Sequence, residues 1–209
     1  MRVPQRLREL KHEIPSAGDG DAADVQRRLL DAAEACFAQF GLRKTTMEDV
    51  ARGAGMSRAS VYRHFENRDD LLMGVVEREA HRAKAFLEER LRGIEHPGDY
   101  IVEGILLTLS EIPKRPALAM LHTPDAVGMT SRLLLNSERL TSVALEIVLP
   151  VIEPARANGL LRENVDVNLM IEWIYRLIDS YLSVPSTTAK SEDELREQLR
   201  TMLLPALLR

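Results

Sequence analysis

The sequence holds a single cysteine, Cys36, in 209 residues. That excludes an internal disulfide and any zinc cage built from cysteines. Cys36 falls within an apolar pattern and reads as a small core residue. Aromatic residues are scarce, at 4% of the chain; beyond residue 72 there are only Phe86, Tyr100, Trp173, Tyr175 and Tyr181. No apolar run is long enough to span a bilayer. The N-terminus lacks the apolar segment of a secretory signal. The expectation is a soluble, cytoplasmic protein with no membrane role. Catalytic motifs are missing as well. There is no His-x-x-x-His pair, glycine-rich phosphate loop or nucleophile elbow. The five histidines, His12, His64, His81, His96 and His122, are scattered. No catalytic residue, cofactor or metal is assigned, and the chain is read as not an enzyme.

What is present is helical pattern and local positive charge. The net charge is −4, so the surface is not basic overall. Residues 1–11 nevertheless hold Arg2, Arg6, Arg8 and Lys11 against Glu9 alone, and residues 43–68 hold six Arg/Lys against Glu48, Asp49 and Glu66. Charge gathered in this way suits a protein that docks one face on a polyanion. Residues 45–65 sharpen this. Thr45-x-x-Glu48 reads as a capping box that starts a helix. Met47, Val50, Ala51 and Ala54 supply its apolar face. Gly55 can end that helix in a left-handed conformation, and Ser57 can cap the next. The second helix has short side chains around one long donor, Arg58-Ala59-Ser60, so its backbone can approach a base edge. Arg58 can reach guanine in a major groove, and Ser60 either base type. Val61 and Phe65 point back to the core, while Tyr62, Arg63 and His64 bring polar tips to the flank where phosphates lie. The competing reading, in which Tyr62 and His64 merely close a small core, requires both to point inward from one short helix.

This stretch resembles the DNA-binding domain of the tetracycline-repressor (TetR) family. The resemblance rests on Phe40-Gly41, Thr45-Thr46, Val50-Ala51-Arg52-Gly53-Ala54-Gly55-Met56-Ser57, Tyr62-Arg63-His64-Phe65 and Asn67-Arg68-Asp69-Asp70-Leu71-Leu72. It covers about residues 24–72. Gly53 departs from the pattern, costing roughly 1 kcal/mol against Ala in a helix, and Arg68 stands where lysine is usual. The resemblance implies that Thr45 and Thr46 hold phosphates, that Arg58, Ala59, Ser60 and Arg63 face bases, that Tyr62 and His64 grip the backbone, and that Arg68 takes another phosphate.

The fold expected is all-α, with about nine helices in two parts. Residues 1–20 form a polar arm, loose or touching DNA with its basic start. Residues 21–68 form the helix-turn-helix domain and residues 69–209 a ligand-sensing and dimerisation domain. Residues 24–40 read as the first helix, with Val25, Leu29, Ala32, Ala33, Cys36, Phe37 and Phe40 buried. A long helix follows from Asp69 to near Leu91, another spans 99–112, and 117–135 is broken by Pro124. Residues 137–158 read as one helix with interior Pro150 and Pro154, where a kink is expected. Helices over 166–183 and 191–208, the latter opened by Ser191-x-x-Glu194, carry apolar faces too wide for one buried side.

In the resembled family the last two helices pair with those of a second subunit. A homodimer through residues 166–208 is therefore implied, reading two half-sites about 34 Å apart. The family also holds a small-molecule pocket between residues 80 and 180. Candidate lining residues are Phe86, Leu106, Leu109, Met120, His122, Met129, Leu133 and Trp173, which suit a flexible apolar effector. The resulting expectation is a ligand-responsive regulator, a repressor released from a palindromic operator by a small apolar molecule. Three alternatives stay open at this point. They are a metal-sensing regulator using Glu77, His81 and Glu88, an enzyme assembled from distant residues, and a helical dimer without a DNA role.

Overall fold

The computed structural model describes residues 19–123, 126, 133–184, 186–189 and 191–209, with the first three as backbone only. Ten α-helices and two short 3-10 turns have both ends among these residues. The only pairing of strand type among them is an isolated bridge, Leu161 with Leu208. The all-α expectation holds.

The first three helices build the N-terminal unit. Helix α1 spans Asp19–Phe40. It starts five residues earlier than the apolar pattern suggested, in a polar turn whose aspartates suit a helix N-terminus. Leu29, Ala33 and Phe37 are fully or almost fully buried, but Phe40, the last residue of the helix, is 42% exposed and does not belong to the stripe. Gly41 follows at φ 81° and turns the chain. Helix α2 spans Met47–Ala54 and buries Met47, Val50, Ala51 and Ala54 as expected. Its cap is one residue further on than the sequence suggested. Thr46, not Thr45, is the N-cap, in a capping box with Asp49 rather than Glu48. The reason lies in Thr45, which is 2% exposed. Its hydroxyl donates to the carbonyls of Cys36 and Gly41 at 3.1 and 2.9 Å, tying down the end of α1.

Helix α3 spans Arg58–His64 and is capped by Ser57. Helix α4, Arg68–Arg90, then leaves the N-terminal unit and runs into the rest of the molecule. Its first half (Leu71, Leu72, Val75, Val76) packs in the core of α1–α3, and its last turns place Leu87 and, just beyond, Leu91 in a separate cluster with Tyr100. Arg78 fastens α4 to α1 through Asp31 and Glu34, both at 2.6 Å.

The remaining helices form the larger unit. Helix α5 is Pro97–Glu111 and α6 is the single turn Pro116–Ala119. Helix α7, Glu138–Ala157, stays helical through Pro150 and Pro154. Helix α8 is Val167–Ser183. The segment 191–208 was expected to be one helix, but it divides into α9, Glu192–Met202, and α10, Leu204–Leu207. Pro205 accounts for the break, because its ring and missing N–H cannot continue a helix from the preceding turn. The expected Ser191–Glu194 capping box is present. Leu161, Met170, Ile178, Leu199 and Leu207 join α5 and α7 in one core.

Candidate nucleic-acid interface and internal cavity

Helices α2 and α3 meet through a tight turn. Gly55 adopts φ 66°, ψ 34°, and its N–H bonds back to Ala51 and Arg52. A side chain there would be strained in the left-handed region. Arg28 reaches over from α1 to donate to the Ala54 carbonyl at 2.9 Å, capping α2 from outside. Ser57 then starts α3, accepting from the Ser60 N–H at 3.1 Å. Val61 and Phe65 are buried at 0% and 3% exposure. The register of α3 is thereby set, and Arg58, Ala59, Tyr62, Arg63 and His64 all lie exposed on its outer side. The reading in which Tyr62 and His64 close the core is excluded.

The outer face is pre-arranged by its own contacts. The Arg58 guanidinium pairs with Glu48 at 2.5 Å and lies over the Tyr62 ring, 5.3 Å from its centroid. Both neighbours favour its charged form, the Tyr62 hydroxyl most. Arg63 donates to the Ser60 hydroxyl at 3.1 Å, and that oxygen lies 3.0 Å from the Ser57 hydroxyl. Arg68 donates to the Arg43 carbonyl at 3.0 Å, bridging α4 to the turn before α2. Thr46 shares its hydroxyl with Asp49, whose carboxyl is held below its ordinary value by those bonds. Of the nine residues assigned to DNA, only Thr45 is turned away, with its hydroxyl spent inside the domain. The structure brings the other eight to exposed or partly exposed positions in the helix-turn-helix or at the start of α4.

The larger unit holds a partly open cavity of about 210 Å³ between α4, α5, α7 and α8. Its walls are almost wholly aliphatic, with Leu87, Ile105, Leu121, Val143, Ile147 and Ile178 among them. Of the candidate lining residues, His122 is at the cavity. Met129 lies outside the described residues. The others stand elsewhere. Leu106 and Leu109 pack in the core with α8–α10, while Met120 and Leu133 pack against the N-terminal core. Phe86 stacks with Arg90 beside the Leu87–Leu91–Tyr100 cluster. Trp173 is 58% exposed on the outside of α8. Type and position along the chain could not tell the inner from the outer side of these helices. Sequence reasoning also missed Tyr175 and Asp179, which line the cavity from α8. Nothing in the sequence set Asp179 apart, because the same helix also carries Glu172 and Arg176.

Two of the three residues considered for metal sensing, Glu77 and Glu88, are held in ion pairs. Glu77 takes Arg139 at 3.5 Å and Glu88 takes Lys84 at 3.3 Å. Among the described residues, no three His, Cys, Asp or Glu side chains gather as a metal-ion site. No helix among them is long and apolar enough to cross a membrane.

Comparison with known proteins agrees with the geometry. Residues 29–75 match the sequence profile of the bacterial regulatory proteins of the tetR family. That stretch is therefore similar to the DNA-binding domain of the tetR family. It is 27% identical over 179 residues to an uncharacterised HTH-type transcriptional regulator of Mycobacterium tuberculosis, covering 85% of this chain and 83% of that one. It is 32% identical over 97 residues to the probable acrEF/envCD operon repressor of Escherichia coli, covering 46% of this chain and 44% of the other. In three dimensions it resembles FadR from Bacillus subtilis, solved in complex with stearoyl-CoA, with a TM-score of 0.57 and 19% identity over 86% of this chain and 95% of that one. At that identity the likeness is one of fold. The relatives so matched are transcriptional regulators rather than enzymes.

Proposed function

We propose that the chain acts as a dimeric repressor that binds a palindromic operator through Arg58, Ala59, Ser60, Tyr62, Arg63 and His64 and leaves it when a small apolar effector enters the cavity. The observation that carries the reading is the register of α3: burial of Val61 and Phe65 turns Arg58, Tyr62, Arg63 and His64 outward together. Thr46 and Arg68 flank that face and take phosphates. Such a regulator works where the chromosome is, in the cytoplasm.

Two further features support the assembly and the switch. Leu169, Trp173 and Met202 are exposed by 51%, 58% and 79% on α8 and α9. That is apolar surface of the kind a two-fold partner covers, and pairing there would present two recognition helices to one operator. The switch has a physical route as well. Val76, Leu118, Leu121 and Leu140 line the cavity and also belong to the hydrophobic core of α1–α3. An occupant that shifts them shifts the packing under the helix-turn-helix. For repression to be relieved, the effector must prefer the conformer that fits DNA poorly.

The test is selection of bound fragments from random DNA, repeated with Arg58→Ala plus Arg63→Ala. The native chain should enrich a near-palindrome, with affinity falling steeply as salt rises. Equal affinity of native and double variant for the enriched site would refute the assignment.

A further inference from the structure

The capping frame of α2 releases one carboxylate. Thr46 and Asp49 close the capping box, so Glu48, beside them in the first turn, has no part in starting the helix. Its side chain crosses instead to α3, where its Oε1 meets Arg58 Nη1 at 2.5 Å. Arg58 is held from its own helix as well. Its guanidinium lies over the Tyr62 ring, 5.3 Å from the centroid, and Nη2 donates to the Tyr62 hydroxyl at 3.4 Å. Both helices of the motif thus fix one guanidinium before any DNA arrives.

The arrangement does little for the fold. The Arg58 and Glu48 side chains are 61% and 49% exposed, and ion pairs in solvent add little to stability. It also works against DNA affinity in general, because a carboxylate beside the reading helix repels phosphates. What it changes is the choice open to Arg58. An arginine on a free stem takes a phosphate as readily as a base, and a phosphate contact carries no sequence information. Between Glu48 and Tyr62 the guanidinium has its charge partly offset and its fork held in place. Each terminal nitrogen bears two hydrogens, so each keeps one for the acceptors of a guanine edge. The Tyr62 hydroxyl, accepting from Arg58, keeps its own hydrogen for a phosphate.

We infer that Glu48 is a positioning residue for specificity, which holds Arg58 ready for a guanine and lowers affinity for DNA of other sequence. The operator then stands out by the weakening of its competitors as well as by its own contacts, the usual way in which a repulsive group sharpens recognition. Glu48 acts through Arg58 and not on a base. The inference rests on the reading of Arg58 as a base-facing residue of α3.

The experiment titrates the native full chain, Glu48→Gln, Arg58→Ala and the double variant at one salt concentration. The targets are the selected operator, the same operator with each base pair replaced in turn, and random-sequence DNA. Glutamine keeps the shape of the exposed side chain and leaves the capping box intact, so the variant folds as the native chain does. Glu48→Gln should bind random DNA about threefold more tightly, from the loss of one charge beside phosphates. Its operator-to-random ratio should fall by about threefold or more, with the loss gathered at the base pair that Arg58→Ala affects. In the Arg58→Ala chain the same substitution should leave the ratio unchanged, because two residues that act as a unit are not additive. An equal rise in affinity for operator and random DNA overturns the inference and makes Glu48 only a charge near phosphates, with Arg58 still a reader of bases. A fall in ratio that persists without Arg58 overturns it as well. If Arg58→Ala leaves preference unchanged at every base pair, the base-reading role of Arg58 is refuted and the inference falls with it.

Discussion

Two glycines in the DNA-binding region should respond to the same substitution in opposite directions. Gly53 lies inside α2, and a Cβ added there would meet Ala32 Cβ at 3.5 Å and Cys36 Sγ at 3.6 Å. Those are ordinary contacts. Gly53→Ala therefore collects the helix-propensity gain of about 1 kcal/mol with no packing cost, which raises the melting temperature by about 2–4 °C in a chain of this size. Gly74 lies inside α4, and its Cβ would come within 2.9 Å of Phe65 Cε1 and 3.0 Å of Leu30 Cδ2. Both atoms end side chains, but Phe65 is 3% and Leu30 7% exposed, so neither has room to withdraw. Overpacking of this kind costs about 1–3 kcal/mol. Set against the same gain of about 1 kcal/mol, Gly74→Ala should be neutral to destabilising by about 2 kcal/mol. Phe65 also closes α3, so the variant should lose operator affinity at temperatures where it is still folded. Gly53→Ala should not. Thermal denaturation at matched chain concentration, because a dimer's stability depends on it, and operator titration check both. A Gly74→Ala protein that gains as much stability as Gly53→Ala, with DNA affinity intact, would show that α4 does not pack tightly on Phe65.

Three other outcomes follow from named contacts. Thr45→Val removes a buried hydroxyl that donates to two carbonyls; it should cost about 1 kcal/mol of stability and leave the salt dependence of operator binding unchanged, whereas a residue on a phosphate would lower the slope. Trp173→Asp puts a charge on an exposed apolar face of α8; sedimentation should show monomers with native helix content, and an unaltered dimer would place the interface elsewhere. His122 is held below its ordinary value of 6.5 by burial, so the unfolded chain binds that proton more readily than the folded one. Its contribution to stability is present above pH 6.5 and is lost as pH falls through and below that value. The melting temperature of the native chain should drop more between neutral and mildly acid pH than that of His122→Phe, and parallel profiles would refute the assignment.

The helix-turn-helix was legible because several independent local signals coincide there. Gly55, Ser57, Val61 and Phe65 each answer to backbone geometry or burial within a few residues, so pattern alone sets the face of α3. The one error in that region has the same origin. Thr45-Thr46 offers two capping frames, Thr45 with Glu48 or Thr46 with Asp49, and only the fold of α1 over the turn shows that the first threonine is needed inside. The cavity was illegible for the opposite reason. Helices α4, α5, α7 and α8 are apolar on more than one side, since some faces meet the core, some line the space and some, such as Leu169 and Trp173, lie open. Hydrophobicity labels all three alike. Tyr175 and Trp173 are two residues apart on α8, yet one lines the cavity and the other is largely exposed. The separation of two positions around a helix, about 200° at 3.6 residues per turn, puts them on opposite sides. Which side is inner depends on neighbours far away in the chain. Asp179, four residues after Tyr175, lies on the same side as Tyr175. Once that side is known to be the inner one, its carboxylate gives an otherwise aliphatic wall a polar end.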